Sequence, residues 1–311
     1  MTAKIFIDGE HGTTGLQIRT RLAERRDIEV ISIPTEKRKD PAARAEFLNT
    51  ADIAILCLPD DAARESVSLI ENNTTRVIDA STAHRVAEGW TYGFAEMDKA
   101  QGDAIRNAGR VANPGCWPQG PIAFLRPLIA AGLLPADLAV TVNGISGYSG
   151  GGRTMIEDYE ASRDEAPEFM PYALTLKHKH VPELQAYSGL SGAPLMQPAV
   201  GNFAQGMLTA LPLQLGHLPR VPTGAELHAA LADHYGAITG SVVDVAPLGN
   251  AERSGALDPE RHNGSNNMTL HVFANDARAQ ALLIAVYDNL GKGASGAAVQ
   301  NMDLMIGSDG R

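Results

Sequence analysis

Two cysteines occupy opposite surroundings in this chain. Cys116 stands in Asn113-Pro114-Gly115-Cys116-Trp117-Pro118, where glycine and prolines dictate a tight backbone. A thiol held in a rigid, open turn is set for attack on an electrophile. Cys57 lies in Asp52-Ile53-Ala54-Ile55-Leu56-Cys57-Leu58-Pro59, an apolar run that predicts a buried strand, where cysteine acts as a small hydrophobe. A nucleophilic thiol needs a proton acceptor, and Leu176-Lys177-His178-Lys179-His180-Val181-Pro182-Glu183 offers His178 and His180. The competing reading of that segment is a basic surface stretch, or a helix start with Pro182 in its first turn. His-x-His has no third ligand at an obvious spacing, so no metal site is expected.

Two further clusters suit anions. Gly9-x-x-Gly12-x-x-Gly15 falls between a strand pattern and a helix pattern. A dinucleotide fold puts its pyrophosphate turn there, using glycines for close approach and the helix N-terminus for its N–H groups and dipole. The spacing differs from the commoner G-x-G-x-x-G, and a plain strand–helix turn is the alternative. Gly9, Gly12, Thr13, Thr14 and Gly15 are the cofactor candidates here. No acid closes the second strand to meet a ribose hydroxyl. Lys37 and Arg38 follow it instead, which suits a 2′-phosphate and points to NADP(H) over NAD, against the alternative of a solvated loop. Ser146-Gly147-Tyr148-Ser149-Gly150-Gly151-Gly152-Arg153 is the second cluster: glycine N–H groups, Ser146, Ser149 and Arg153 form a candidate anion site, or else a glycine loop between strands. Asp60-Asp61 and Glu157-Asp158 are neighbours in sequence and do not face each other on a helix, so neither is expected to be a catalytic dyad.

The elements that must carry these residues alternate at first. Strands are predicted at 4–8, 28–33, 51–58 and 76–80, with helices at 16–25, 41–49 and 60–72. Leu16, Ile18 and Leu22 are expected to pack. That alternation implies an α/β, Rossmann-type, doubly wound parallel sheet. Beyond about residue 122 the alternation ends. A strand at 138–145, antiparallel strands at 196–203, 206–213, 241–245 and 267–274, and helices at 182–187, 224–235 and 278–290 suggest an α+β domain, with a long loop at 250–266. The chain has 311 residues, a length that accommodates two domains, and its formal net charge of -10 argues against nucleic-acid binding. Two cysteines build no disulfide framework. Residues 1–20 lack the apolar core of a signal peptide, and no apolar run reaches membrane-spanning length, so a cytoplasmic protein without a membrane partner is expected.

Taken together, Asp8-Gly9-Glu10-His11-Gly12-Thr13-Thr14-Gly15, Asp79-Ala80-Ser81-Thr82-Ala83-His84-Arg85, Asn113 to Pro118 and His178 to Glu183 resemble the N-acetyl-γ-glutamyl-phosphate reductase family. The length and the ending Lys292-Gly293-Ala294-Ser295-Gly296-Ala297-Ala298-Val299-Gln300-Asn301-Met302 are most similar to its shorter, type 2 branch. Trp117 departs from the tyrosine often found there. The resemblance spans essentially the whole chain and implies an NADPH-dependent step of arginine biosynthesis on a small-molecule acyl phosphate. Cys116 would form a thioester, and His178, ranked ahead of His180, would handle the proton. Ser81 and Asn301 would join the cofactor site. The implied domains are an NADP-binding domain at 1–115 rejoined by 291–311, and a catalytic and oligomerisation domain at 116–290. The latter would be of the glyceraldehyde-3-phosphate dehydrogenase-like kind, in a homo-oligomer of two or four subunits.

The nearest rivals are related acyl-phosphate reductases, such as aspartate-semialdehyde dehydrogenase or an aminoadipate-type enzyme, whose substrates differ by a methylene or an acetyl group. A methylene contributes only about 1–3 kcal/mol of discrimination in a pocket. A cysteine acyl transferase or hydrolase without nicotinamide leaves the glycine turn and Lys37-Arg38 without a role. A nucleotide-sensing module leaves the setting of Cys116 unexplained.

Overall fold

A computed structural model describes residues 2–161, 165–248 and 257–307. The chain forms two compact units. The first comprises Met1–Ala95, Ala100–Pro114 and Ala294–Arg311; the second comprises Glu96–Lys99 and Gly115–Gly293. The junctions thus fall one residue before and three residues after the positions expected from sequence. Glu96–Lys99 joins the second unit because Glu96 forms a fully buried ion pair there, 2.6 Å from Lys292 Nζ.

In the first unit the order is β1 (Ala3–Asp8), α1 (Thr13–Leu22), β2 (Ile28–Ile31), α2 (Pro41–Thr50), β3 (Ile53–Leu56), α3 (Asp60–Ser68), β4 (Arg76–Asp79), β5 (Thr91–Tyr92), α4 (Gln101–Asn107) and β6 (Arg110–Ala112). Six parallel strands lie in the order β2-β1-β3-β4-β6-β5. Alternation along each strand feeds two cores. Ile5, Ile7, Ile53 and Ile55 pack on one face with Ile18 and Leu22 of α1, while Phe6, Ala54 and Leu56 pack on the other with Leu48 of α2 and Ala63 of α3. This is a doubly wound sheet, and its strand order reverses between β1 and β3, where such folds bind nucleotides. Pro41 at the first position of α2, with Asp40 capping Ala42 N at 3.0 Å, starts that helix as its sequence suggests. Helix α1 begins earlier than predicted, at Thr13, and Leu16 is exposed rather than packed.

The second unit contains α5 (Cys116–Ala130), β7 (Thr141–Gly147), α6 (Gly152–Ala161), β8 (Phe169–Pro171), α7 (Val181–Tyr187), β9 (Leu195–Gly201), β10 (Met207–Gln214), α8 (Gly224–Gly236), β11 (Val243–Val245), β12 (Met268–Asn275) and β13 (Gln280–Tyr287). A final helix, α9 (Gly296–Ile306), belongs to the first unit, where Met302 and Met305 join its core. The seven-stranded sheet runs β11-β12-β13-β10-β7-β9-β8. It is mixed. Strand β9 runs parallel to β7 on one side and antiparallel to β8 on the other, so the antiparallel reading of 196–203 holds for one neighbour only. Strand β11 pairs with β12 in parallel, and the antiparallel reading of 241–245 is corrected. The helix predicted at 278–290 is also corrected, to strand β13. Its Ala and Leu residues favour a helix, but all eight residues pair with β10 on one side and β12 on the other. The long loop predicted at 250–266 lies outside the described residues as far as 256, and its remainder is turns and bends.

Candidate active site

Cys116 does not sit in an open turn. It is the first residue of α5, a 15-residue helix that contains Pro121 and Pro127 and is buried along most of its length. Pro118 lies in the first turn, where a missing N–H costs nothing, and packing carries the helix past Pro121. Gly120 brings α5 onto the sheet, since a Cβ there would fall 2.1 Å from Thr209 Oγ1. The first turn carries no acidic residue and no side-chain cap, so the N–H groups and dipole of α5 favour negative charge at the thiol.

Three groups set the thiol's backbone. The buried Glu183 on α7 accepts the Gly115 N–H at 2.7 Å. Tyr287, at the end of β13, donates its hydroxyl to the Cys116 carbonyl at 2.7 Å. Gly293 packs so closely that a Cβ would lie 2.8 Å from Cys116 Cβ. Burial, and then Cys116, push the phenols of Tyr172 and Tyr287 up, so both stay protonated.

The histidines follow from α7. His180, 4% exposed, caps its start, and Glu183 stands one turn on, on the same face. His178 is partly buried, its ring centroid 4.8 Å from that of His180 and 5.6 Å from that of Tyr172. Tyr172 in turn meets the ring of Trp117 at 6.4 Å. Burial, and then Lys179, push His178 down to about 4. Its Nδ1 is 3.1 Å from the His180 backbone N–H, which can only donate. Neutral His178 therefore carries its proton on Nε2.

Of the anion candidates, Ser146 and Ser149 are buried at the end of β7 and in the 3-10 turn beyond it, while Arg153 is exposed in the first turn of α6. Ser149 Oγ accepts from Asn289 Nδ2 at 3.0 Å.

In the first unit, the glycine turn has the form an anion cradle needs. Gly9 has φ +94, and a Cβ there would strike the Cys57 carbonyl oxygen at 2.4 Å; one on Gly15 would strike Gly9 O at 2.3 Å. Gly12 is the N-cap of α1, whose first turn, with Thr13 and Thr14, holds no acid and no side-chain cap. These residues fit a dinucleotide pyrophosphate. Cys57 follows β3, and burial together with Asp79 and Asp8 pushes its thiol up, away from nucleophilic use. Lys37 and Arg38 are exposed beyond β2. Ser81 is locked by Asp79, whose carboxylate accepts the Ser81 N–H at 2.9 Å and hydroxyl at 2.7 Å, with His84 Nδ1 at 2.6 Å. Asn301 is fully buried and donates to Asn113 Oδ1 at 3.0 Å, so it braces the segment that precedes Gly115.

Sequence reasoning passed over Glu183, Tyr287, Asp288 and Asn289. Glu183 ends the segment that carries His178 and His180, but nothing local signals a partner 68 residues away. Among the described residues no group of His, Cys, Asp and Glu could hold a metal ion. Among the described residues no helix is long and apolar enough to cross a membrane.

Residues 4–105 match the family of the semialdehyde dehydrogenase NAD binding domain, and residues 116–289 that of the semialdehyde dehydrogenase dimerisation domain. The chain is 76% identical to the N-acetyl-gamma-glutamyl-phosphate reductase of Chelativorans sp. (strain BNC1), covering 98% of this chain and 99% of that protein. It is 76% identical to that of Mesorhizobium japonicum, covering 99% and 100%. Among solved structures it is similar in fold to aspartate semialdehyde dehydrogenase from Francisella tularensis, with TM-score 0.72 at 15% identity over 98% of this chain and 100% of that one. It is similar also to the enzyme from Candida albicans, solved with NADP, with TM-score 0.71 at 14% identity over 98% and 99%.

Proposed function

The chain belongs to the N-acetyl-γ-glutamyl-phosphate reductases of the semialdehyde dehydrogenase family, and from this we propose that it reduces N-acetyl-γ-glutamyl phosphate to N-acetyl-L-glutamate semialdehyde and phosphate. The reaction is a step of arginine biosynthesis. The observation that carries the mechanism is Cys116 at the N-terminus of α5, with Gly115 held by Glu183 and the Cys116 carbonyl by Tyr287. The thiolate attacks the acyl carbon, phosphate leaves, and a thioester remains on Cys116. Bound NADPH supplies the hydride that reduces this thioester. The resulting thiohemiacetal collapses to the aldehyde and restores the thiolate.

The thiol proton needs an unprotonated nitrogen. His178 has its acceptor nitrogen engaged by the His180 N–H, which favours His180 as the base and leaves His178 as an Nε2–H donor to developing oxyanion charge. This reverses the ranking drawn from sequence. Ser146, Ser149 and Arg153 receive the anionic groups of the substrate. Gly9, Gly12, Thr13, Thr14 and Gly15 hold the pyrophosphate, with Ser81 and Asn301 supporting the cofactor site. NADP rather than NAD is supported by Lys37 and Arg38 beyond a strand that ends without an acid. The dimerisation-domain family supports a homo-oligomer.

The test is the reverse reaction: phosphate-dependent reduction of NADP, and of NAD in parallel, by N-acetylglutamate semialdehyde. Wild type is expected to turn over with NADP preferred, and Cys116→Ser to lose on the order of a thousandfold or more. Wild type inactive with both cofactors ends this reading, and retained activity in Cys116→Ser ends the thioester.

A further inference from the structure

The end of β13 gathers loops that are remote in sequence. Asp288 and Asn289 are 0% and 1% exposed, immediately after Tyr287. Asp288 Oδ2 accepts from Gln205 Nε2 at 2.5 Å and Gly264 N at 2.8 Å, and its Oδ1 from Leu290 N at 2.9 Å. Asn289 Oδ1 accepts the Gly206 N–H at 2.7 Å, and its Nδ2 donates to Ser149 Oγ at 3.0 Å. The 3-10 turn that carries Ser149 is fixed to the same floor by backbone bonds from Gly147 N to Gly206 O, Tyr148 N to Phe203 O and Ser149 N to Ala204 O.

This arrangement decides the polarity of Ser149. A backbone N–H only donates, so Gly206 must face the amide oxygen of Asn289. The amide nitrogen then faces Ser149, and the Ser149 oxygen must accept. Its hydroxyl proton points elsewhere, and among the described residues no acceptor takes it. A serine hydroxyl whose oxygen is already engaged by a donor is a preorganised donor for an oxyanion.

We infer that Asn289 is a positioning residue that orients the Ser149 hydroxyl as a hydrogen-bond donor to an anionic oxygen of the substrate, with the phosphate group as the ligand. The inference rests on the assignment of Ser146 to Arg153 as the anion-binding segment. Asn289→Asp is the sharpest variant. It retains the acceptor for Gly206 but turns a second acceptor toward Ser149, so the hydroxyl must donate inward and its proton is lost to the ligand.

The experiment measures KM for inorganic phosphate in the reverse reaction, kcat, the thermal midpoint and the rate of Cys116 alkylation by iodoacetamide. Asn289→Asp and Ser149→Ala are each expected to raise the phosphate KM about ten- to hundredfold, as loss of one hydrogen bond to a charged group implies. Cys116 alkylation is expected to stay at the wild-type rate, and Ser149→Ala added to Asn289→Asp to give little further loss. Should Asn289→Asp not fold, Asn289→Ala carries the same KM expectation. A raised KM for Ser149→Ala with a normal one for Asn289→Asp overturns the role of Asn289. A loss confined to kcat, the thermal midpoint and alkylation rate overturns it too, because that is a structural effect. A normal KM in Ser149→Ala sinks the anion assignment of the segment itself, and an inactive wild type sinks the proposed reaction. The four results are distinguishable.

Discussion

At the scale of single residues, the chemistry depends on which nitrogen of which histidine is open. His178 and His180 are two residues apart, and their types alone rank neither. The 3.1 Å contact from His180 N to His178 Nδ1 separates them, because a backbone donor consumes the acceptor site of one ring. His180→Asn is therefore expected to lower kcat about 10²- to 10⁴-fold, the range general-base catalysis covers. His178→Asn retains a donor and is expected to cost about tenfold. Steady-state rates of the reverse reaction for the two variants decide this, and the opposite order returns His178 to the role of base. Residue types alone single out Cys116 as the candidate nucleophile, since a thiol among Gly and Pro is poor packing material. Residue types do not single out its neighbours Glu183 and Tyr287, because each reaches the segment across the fold: 68 residues from Gly115 in one case, 171 from Cys116 in the other.

At the scale of elements, local demands were readable and long-range ones were not. The glycine turn after β1 is a local demand. Gly9 needs a positive φ, Gly15 needs contact with the Gly9 carbonyl, and a strand and helix on either side identify the turn. Its glycines are predicted to fail differently. A Cβ at residue 15 would fall 2.3 Å from Gly9 O and 2.8 Å from Glu10 Cα, so Gly15→Ala is expected to destabilise the fold by about 1–3 kcal/mol. At residue 12 the nearest atom is 3.4 Å away, so Gly12→Ala is expected to stay within about 1 kcal/mol of wild type while weakening NADP binding. Urea denaturation and cofactor titration of both variants check the pair; equal stability losses would refute the distinction. Helix α5 and strand β13 show the opposite case. Proline and glycine hide α5, whose stability comes from burial rather than propensity. Alanine and leucine disguise β13, which is a strand only because β10 and β12 flank it.

At the scale of the whole molecule, the second unit holds four of its histidines, His178, His234, His262 and His271, toward the neutral form. Burial lowers His178 to about 4, and burial also lowers His234, His262 and His271 below the ordinary histidine value of 6.5. In the unfolded chain each takes up a proton near pH 6.5, whereas in the folded chain it does so only at lower pH. Between those values the unfolded state binds more protons, so stability rises with pH. The stability present above pH 6.5 is lost as pH falls from 6.5 toward 4, with no further loss from His178 below about 4. For His178 alone the loss has an upper limit of about 3 kcal/mol, reduced by solvent screening because the ring is only partly buried. Urea midpoints at pH 7.5 and pH 5.0, at one protein concentration so that subunit association does not intrude, are expected to fall on acidification. His178→Asn is expected to fall less than wild type over the same interval. A wild-type stability that is flat or rises toward pH 5 would show that these histidines are not held neutral by the fold.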